Sequence, residues 1–242
     1  MLSAAGWGSV GAASLLIGAL LALYLRIPTR AIGLLLGFGA GTLISAVAFE
    51  LTEEAYALGG ADTVATGLAI GALAYFVGDE LISRRGAGER MRPESRQRAD
   101  ASSALLLGAI LDGIPESAVI GLSLIGGGGV GVPVLAAVFL SNLPEAVSSS
   151  AGMRADGAGR AQILLTWLAV VVVSALAAAV GYGALEGASG DAVGLLQAFA
   201  AGAVLTMLAE TMMPEAFRFG GRAVGLLTVL GFAVSYLLST LE

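Results

Sequence analysis

Polar residues interrupt this chain only briefly, and between the interruptions lie eight apolar stretches. They run over about Val10–Leu25, Ile32–Leu51, Thr63–Ile82, Ser102–Ile125, Val130–Met153, Ala161–Tyr182, Ala192–Met213 and Ala223–Leu241. A membrane helix needs about 20 predominantly apolar residues, so each stretch is read as one span. No alternation of apolar and polar residues marks membrane-spanning strands. The pattern predicts an all-α integral membrane protein with eight transmembrane helices, in one transmembrane domain over residues 1–242. The longest interruption, Ser83–Ala101, holds six arginines, one proline and three acids and is expected to be a loop between spans three and four. Gly126–Gly129 forms a tight turn between spans four and five.

The positive charges test this count. Arg26 and Arg30 fall between spans one and two, and Arg84, Arg85, Arg90, Arg92, Arg96 and Arg98 between three and four. Arg154 and Arg160 fall between five and six, and Arg218 and Arg222 between seven and eight. All twelve lie on one side of an eight-span arrangement, and one span more or fewer would scatter them. Positive charge near span ends stays cytoplasmic, so the loop 83–101 is placed in the cytoplasm and both termini outside. The amino terminus lacks the basic segment of a cleaved signal, so the first apolar run is read as a retained span.

Spans one to three and six to eight flank a central pair, and two three-span units so separated have opposite orientations. The ends of spans two and seven carry similar phrases, Ala48-Phe-Glu50-Leu-Thr-Glu53-Glu54-Ala and Ala209-Glu210-Thr-Met-Met-Pro214-Glu215-Ala. An inverted repeat, which many transporters build around a central site, accounts for the likeness. Chance similarity between helix ends is the competing account.

Composition agrees with a membrane location: 57% of residues are hydrophobic and 12% charged, against about 25% charged in soluble domains. The 36 glycines suit helices packed through small residues. With a net charge of −6, a nucleic-acid partner is not expected. The absence of cysteine and histidine rules out disulfides, thiolate or imidazole ligands and histidine-based acid–base chemistry within the chain. It also removes the usual nucleophile pairs of a hydrolase, and no enzymatic activity is expected. Any metal held by this chain is held by oxygen.

The candidate chemistry lies in spans four and five. Asp112-Gly-Ile-Pro115-Glu116-Ser and Ser141-Asn142-Leu-Pro144-Glu145-Ala each place a polar residue, a proline and a glutamate inside an apolar run. Asp112 and Glu116 are four residues apart, as are Ser141 and Glu145, so each pair shares a helix face, with Asn142 close to the second. Pro115 cannot donate to the Leu111 carbonyl, nor Pro144 to the Leu140 carbonyl. Each freed carbonyl precedes a polar side chain by one residue, and together with the carboxylates they make an oxygen cage for a cation. A carboxylate at bilayer depth costs about 2.5–3.5 kcal/mol on insertion scales and is by default read as functional. The plainer alternative is that the three acids stay protonated and hydrogen-bond between helices. Glu210, toward the cytoplasmic end of span seven, is a further site or exit-path candidate. Glu50, near the outer end of span two, could attract cations at an entrance. Glu53, Glu54, Asp62, Glu186 and Asp191 are expected in solvent, leaving an acidic, arginine-free outer face that raises local cation concentration.

These residues resemble the ZIP family of divalent metal transporters, over nearly the whole chain. The family's fourth-span phrase His-Asn-x-Pro-Glu-Gly is matched by Asp112-Gly113-Ile114-Pro115-Glu116-Ser117, and its fifth-span phrase by Ser141-Asn142-Leu143-Pro144-Glu145-Ala146. Phe38-Gly-Ala-Gly41 leading to Glu50 looks like its second span, and Ala200-Ala-Gly-Ala-Val leading to Glu210 like its seventh. Asp112 and Ser141 stand at the family's ligand histidines, Gly113 at its asparagine and Asn142 at a carboxylate. Span six has no acid to hold a second metal beside the first. The resemblance implies a ZIP-like 3+2+3 arrangement in the inner membrane that carries a divalent metal toward the cytoplasm. Its metal residues would be Asp112, Glu116, Asn142 and Glu145, with Ser141 and Glu210 assisting. Zinc, manganese, iron or cadmium would be cargo, with no prosthetic group; an all-oxygen site suits Mn²⁺, Mg²⁺ or Ca²⁺ more readily than zinc. The lipid bilayer is the other expected partner, and a homodimer is left open. Two rival readings use the same acids: a proton-coupled exporter of small organic cations, and a metal sensor that binds without transporting.

Overall fold

The computed structural model describes residues 1–82, 100–125, 131–185 and 187–240. Among these residues the chain is helical, with no strand. The helices are α1 (Leu2–Tyr24), α2 (Thr29–Ala46), α3 (Thr52–Ile82), α4 (Asp100–Leu122), α5 (Val132–Ala155), α6 (Arg160–Leu185), α7 (Gly190–Met207), α8 (Met213–Gly220) and α9 (Val224–Ser239). A π-helical turn, Val47–Leu51, joins α2 to α3, and another, Leu208–Met212, joins α7 to α8. The expected loop 83–101 lies outside the described residues except for Asp100 and Ala101, which already belong to α4, and the turn Gly126–Gly129 lies outside them too.

Several helical stretches are long and apolar enough to span a membrane, which fits a membrane protein. Two of them, Thr29–Leu81 and Gly190–Ser239, run to 53 and 50 residues, more than twice what one crossing requires. Each is broken by a left-handed glycine: Gly60 has φ 73° and Gly221 φ 66°. A side chain there would meet steric strain that glycine escapes.

The polar segment expected between spans two and three is thus helical up to Gly60. Thr52-Glu-Glu-Ala-Tyr-Ala-Leu contains no proline, and Ala, Leu and Glu favour helix, so polarity alone does not end it. α1 likewise starts at Leu2, ahead of the expected Val10, because its first turns pack on α6. Ala4 is buried there, and a Cβ on Gly8 would meet that of Ala178 at 2.6 Å.

The two long stretches repeat each other element by element. Thr29 and Gly190, Val47 and Leu208, Thr52 and Met213, and Gly60 and Gly221 are each 161 residues apart. The similar phrases beginning at Ala48 and Ala209 keep the same spacing, and each starts inside a π turn. Packing repeats as well: α2 lies along α9 and α3 along α7, while α1 lies along α5 and α6, and α6 along α4. The contacts are backbone-close. A Cβ on Gly41 would run into the Thr228 carbonyl, and one on Gly202 into the Leu68 carbonyl.

Inside and outside are the reverse of a water-soluble protein. Leu165, Leu168, Val172, Leu176 and Val180 of α6 and Leu226, Val229, Leu230 and Leu237 of α9 are exposed. Asp112, Glu116, Asn142, Glu145 and a set of serines are buried. Apolar side chains outside and polar groups within suit a lipid surround.

Candidate functional site

α4 and α5 continue through Pro115 and Pro144. Each proline removes one donor from its helix, leaving the carbonyl four residues earlier without its usual partner. At Pro144 that carbonyl belongs to Leu140. Gly39 of α2 abuts this point: a Cβ on it would lie 2.9 Å from Ser141 Cα and 3.4 Å from the Leu140 oxygen. On another side of α5, Gly18 of α1 fits against the Leu143 carbonyl and Ala146. Held between glycines, α5 buries every residue from Pro144 to Ser150. Thr42 Oγ1 donates to its own helix at the Gly39 carbonyl (2.7 Å) and across to Ala137 of α5 (3.4 Å). Ser141 Oγ donates to the Val138 carbonyl at 3.0 Å, and Trp167 Nε1 of α6 donates to Ser150 Oγ at 2.7 Å.

On α4, Asp112 is 5% and Glu116 2% exposed. The Tyr75 hydroxyl of α3, itself 2% exposed, donates to Asp112 Oδ1. Glu116 differs: both of its carboxylate oxygens are buried without a hydrogen-bond partner. One turn away, the Asp112 carboxylate adds its charge to the same locality. A buried polar group left unmatched costs about 1–3 kcal/mol, more when charged. One carboxyl of this pair thus keeps two buried oxygens that no donor claims among the described residues.

Of the residues expected to form the site, Asp112, Glu116, Ser141, Asn142 and Glu145 are all buried, on α4 and α5. Among the described residues no group of three or more acidic side chains converges as a ready metal cluster, so Glu145 does not complete a triad with Asp112 and Glu116 in this conformation. Glu210 lies on the π turn after α7 and is exposed, apart from the buried set.

Two residues were not singled out by sequence reasoning. Tyr75 sits amid apolar neighbours in the third span, and its signal was a phenol where a hydroxyl has to find a partner. Gln197 is 1% exposed in α7. Its side chain bonds to Glu54, which was expected simply in solvent, while its Oε1 has no partner. The signal there was a lone amide inside an apolar span.

Away from these groups, an open cleft of about 450 Å³ lies between the end of α1, the start of α2 and the end of α5, with Arg26 and Arg154 on its wall. Arg154 Nη1 donates to the Ala22 and Leu23 carbonyls at 3.3 and 3.0 Å, satisfying groups that a helix end otherwise leaves open. Two guanidinium groups make this cleft unsuited to cations.

Fold and site together define a class: an all-helical protein with an apolar exterior and a carboxylate-bearing interior. No known family model matches the chain, and no curated protein is significantly similar to it.

Proposed function

We propose that the chain is a transmembrane transporter of a divalent metal cation, zinc or another first-row ion such as manganese or iron, working toward the cytoplasm. The observation that carries this reading is Glu116: a carboxylate almost wholly buried in α4 with both oxygens unmatched. Asp112 beside it, and Asn142, Glu145 and Ser141 on α5, supply the other oxygen ligands. A dication relieves the repulsion between neighbouring carboxylates, which a fixed hydrogen-bond network would have no need to leave open.

The eight-span, 3+2+3 reading draws support from the 161-residue repeat of elements and from the paired packing of α2 with α9 and α3 with α7. In this reading the halves are inverted repeats in the inner membrane, and the short helix α8 belongs to a cytoplasmic connection. The site-bearing helices α4 and α5 group with α1 and α6. Alternating access follows when that group shifts against α2, α3, α7 and α9, the rocking of one unit against another that repeat-built transporters use.

The functional test is uptake into proteoliposomes of Zn²⁺, Mn²⁺, Fe²⁺, Cd²⁺, Mg²⁺ and Ca²⁺. Saturable flux of at least one is expected. Binding without flux would favour a sensor, and no binding would end the metal reading.

Topology has its own test, since the chain has no cysteine to remove. Single cysteines at Asp62 and Ala188 are expected to react with an impermeant maleimide on intact cells. One at Asp156 is expected to react only after permeabilisation. Equal labelling of all three from outside would sink the eight-span arrangement.

A further inference from the structure

The cleft between the end of α1, the start of α2 and the end of α5 has two kinds of wall. Arg26 and Arg154 form one, and Leu25, Ile27, Ile32 and Val147 form the other. Among the described residues no acidic side chain lines it; Asp156, two residues past Arg154, is exposed and off the wall. Arg154 is held in place by Nη1, which donates to the Ala22 and Leu23 carbonyls at 3.3 and 3.0 Å. A guanidinium carries five N–H donors in a planar fork, so those on Nε and Nη2 are not spent on these bonds. A fork fixed in this way suits the paired oxygens of a phosphate. The volume, about 450 Å³, falls within the roughly 300–1,000 Å³ of small-ligand sites.

The surroundings are those of a membrane surface. Tyr24, at the end of α1, is exposed, and the Arg160 guanidinium lies 5.5 Å from the centre of its ring. Tyrosine collects at membrane–water interfaces and arginine beside cytoplasmic span ends. We propose that this cleft binds an anionic phospholipid, with Arg26 and Arg154 on the headgroup phosphate and Leu25, Ile27, Ile32 and Val147 against the start of an acyl chain. A free phosphate ion would use the arginines alone, whereas a lipid uses both walls. Cytoplasmic leaflets supply such lipids, and basic pockets between membrane helices take their headgroups. The site is separate from the buried carboxylates and does not depend on the transport reading.

The test is equilibrium binding of phosphatidylglycerol with a fluorescent acyl chain to the purified full chain in neutral detergent. Saturable binding is expected, displaced by unlabelled phosphatidylglycerol and not by phosphatidylcholine. Arg26→Gln is expected to weaken it about fivefold, the scale of one arginine at an anionic lipid surface. Arg222→Gln removes the same charge off the wall and should leave binding unchanged. Ala151→Leu adds bulk to the wall without changing charge and should weaken binding as well; it carries the test should Arg26→Gln not fold. Equal losses in Arg26→Gln and Arg222→Gln, with none in Ala151→Leu, would mean diffuse attraction and overturn the site. Displacement by phosphatidylcholine as effective as by phosphatidylglycerol overturns the choice of an anionic lipid. Displacement by chain-free glycerol phosphate at the same concentrations, with ionic strength held fixed, overturns the lipid and makes the cleft a site for soluble phosphates.

Discussion

Glu116→Gln is expected to lower metal uptake by about a hundredfold or more while the protein still inserts and folds. Loss of a group that only orients metal ligands already costs about 10- to 100-fold in affinity or activity, and Glu116 is proposed as a ligand itself. Stability separates this outcome from simple damage. A buried carboxylate that anchors the fold has partners, and removing one side of such a pair costs about 3–5 kcal/mol. Glu116 has none: both oxygens are buried and unmatched. Its removal takes away a cost, so Glu116→Met, similar in length and apolar, should raise stability by about 1–3 kcal/mol. Melting in detergent and uptake in vesicles read the two effects on the same preparations. Loss of uptake with a gain in stability is the signature of a group kept for function. Normal uptake by Glu116→Gln would sink the site assignment, and a marked drop in melting temperature would make Glu116 a structural residue.

Much of this was legible in the sequence, for physical reasons that also mark where legibility ends. An apolar run of helical length and a carboxylate inside it are local features, so the helices and the burial of Asp112, Glu116, Asn142 and Glu145 could be read directly. Helix ends set by neighbours could not. α1 reaches back to Leu2 because α6 covers its first turns, and nothing in residues 1–9 announces that cover. The π turns were half visible: the phrases at Ala48 and Ala209 read as a repeat, but a wider helical turn leaves no pattern of its own in the sequence. Glu210 reads as a site or exit-path residue from its place near the cytoplasmic end of span seven; the π turn sets it at an exposed position, whereas Glu50, one place later in the matching phrase, is half-buried. The Tyr75–Asp112 bond joins residues 37 apart in sequence, and no spacing rule within one helix can find it.

Placing a methyl group at Gly41 or at Gly202 is expected to destabilise the protein by about 3 kcal/mol, and by nearly the same amount at each. In an open helix position Gly→Ala is favourable by about 1 kcal/mol, because alanine loses less backbone freedom. Gly6 in α1 has nothing within 4 Å of its missing Cβ, so Gly6→Ala should show that gain. At Gly41 the added carbon would run into the Thr228 carbonyl of α9, and at Gly202 into the Leu68 carbonyl of α3. Backbone cannot swing aside as a side chain does, so the helices have to separate. Overpacking typically costs about 1–3 kcal/mol, and contact with main chain puts these sites at the upper end. Gly41 and Gly202 are 161 residues apart, the spacing of the repeated elements. Equal losses would mean that the α2–α9 and α7–α3 contacts carry equal weight, as two halves of one repeated design require. A large loss at one and a gain at the other would mean that the repeat is a likeness of outline only. The proposed motion of one helix group against the other would then lack its symmetric frame. Melting of Gly41→Ala, Gly202→Ala and Gly6→Ala in the same detergent decides between these outcomes without reference to any substrate.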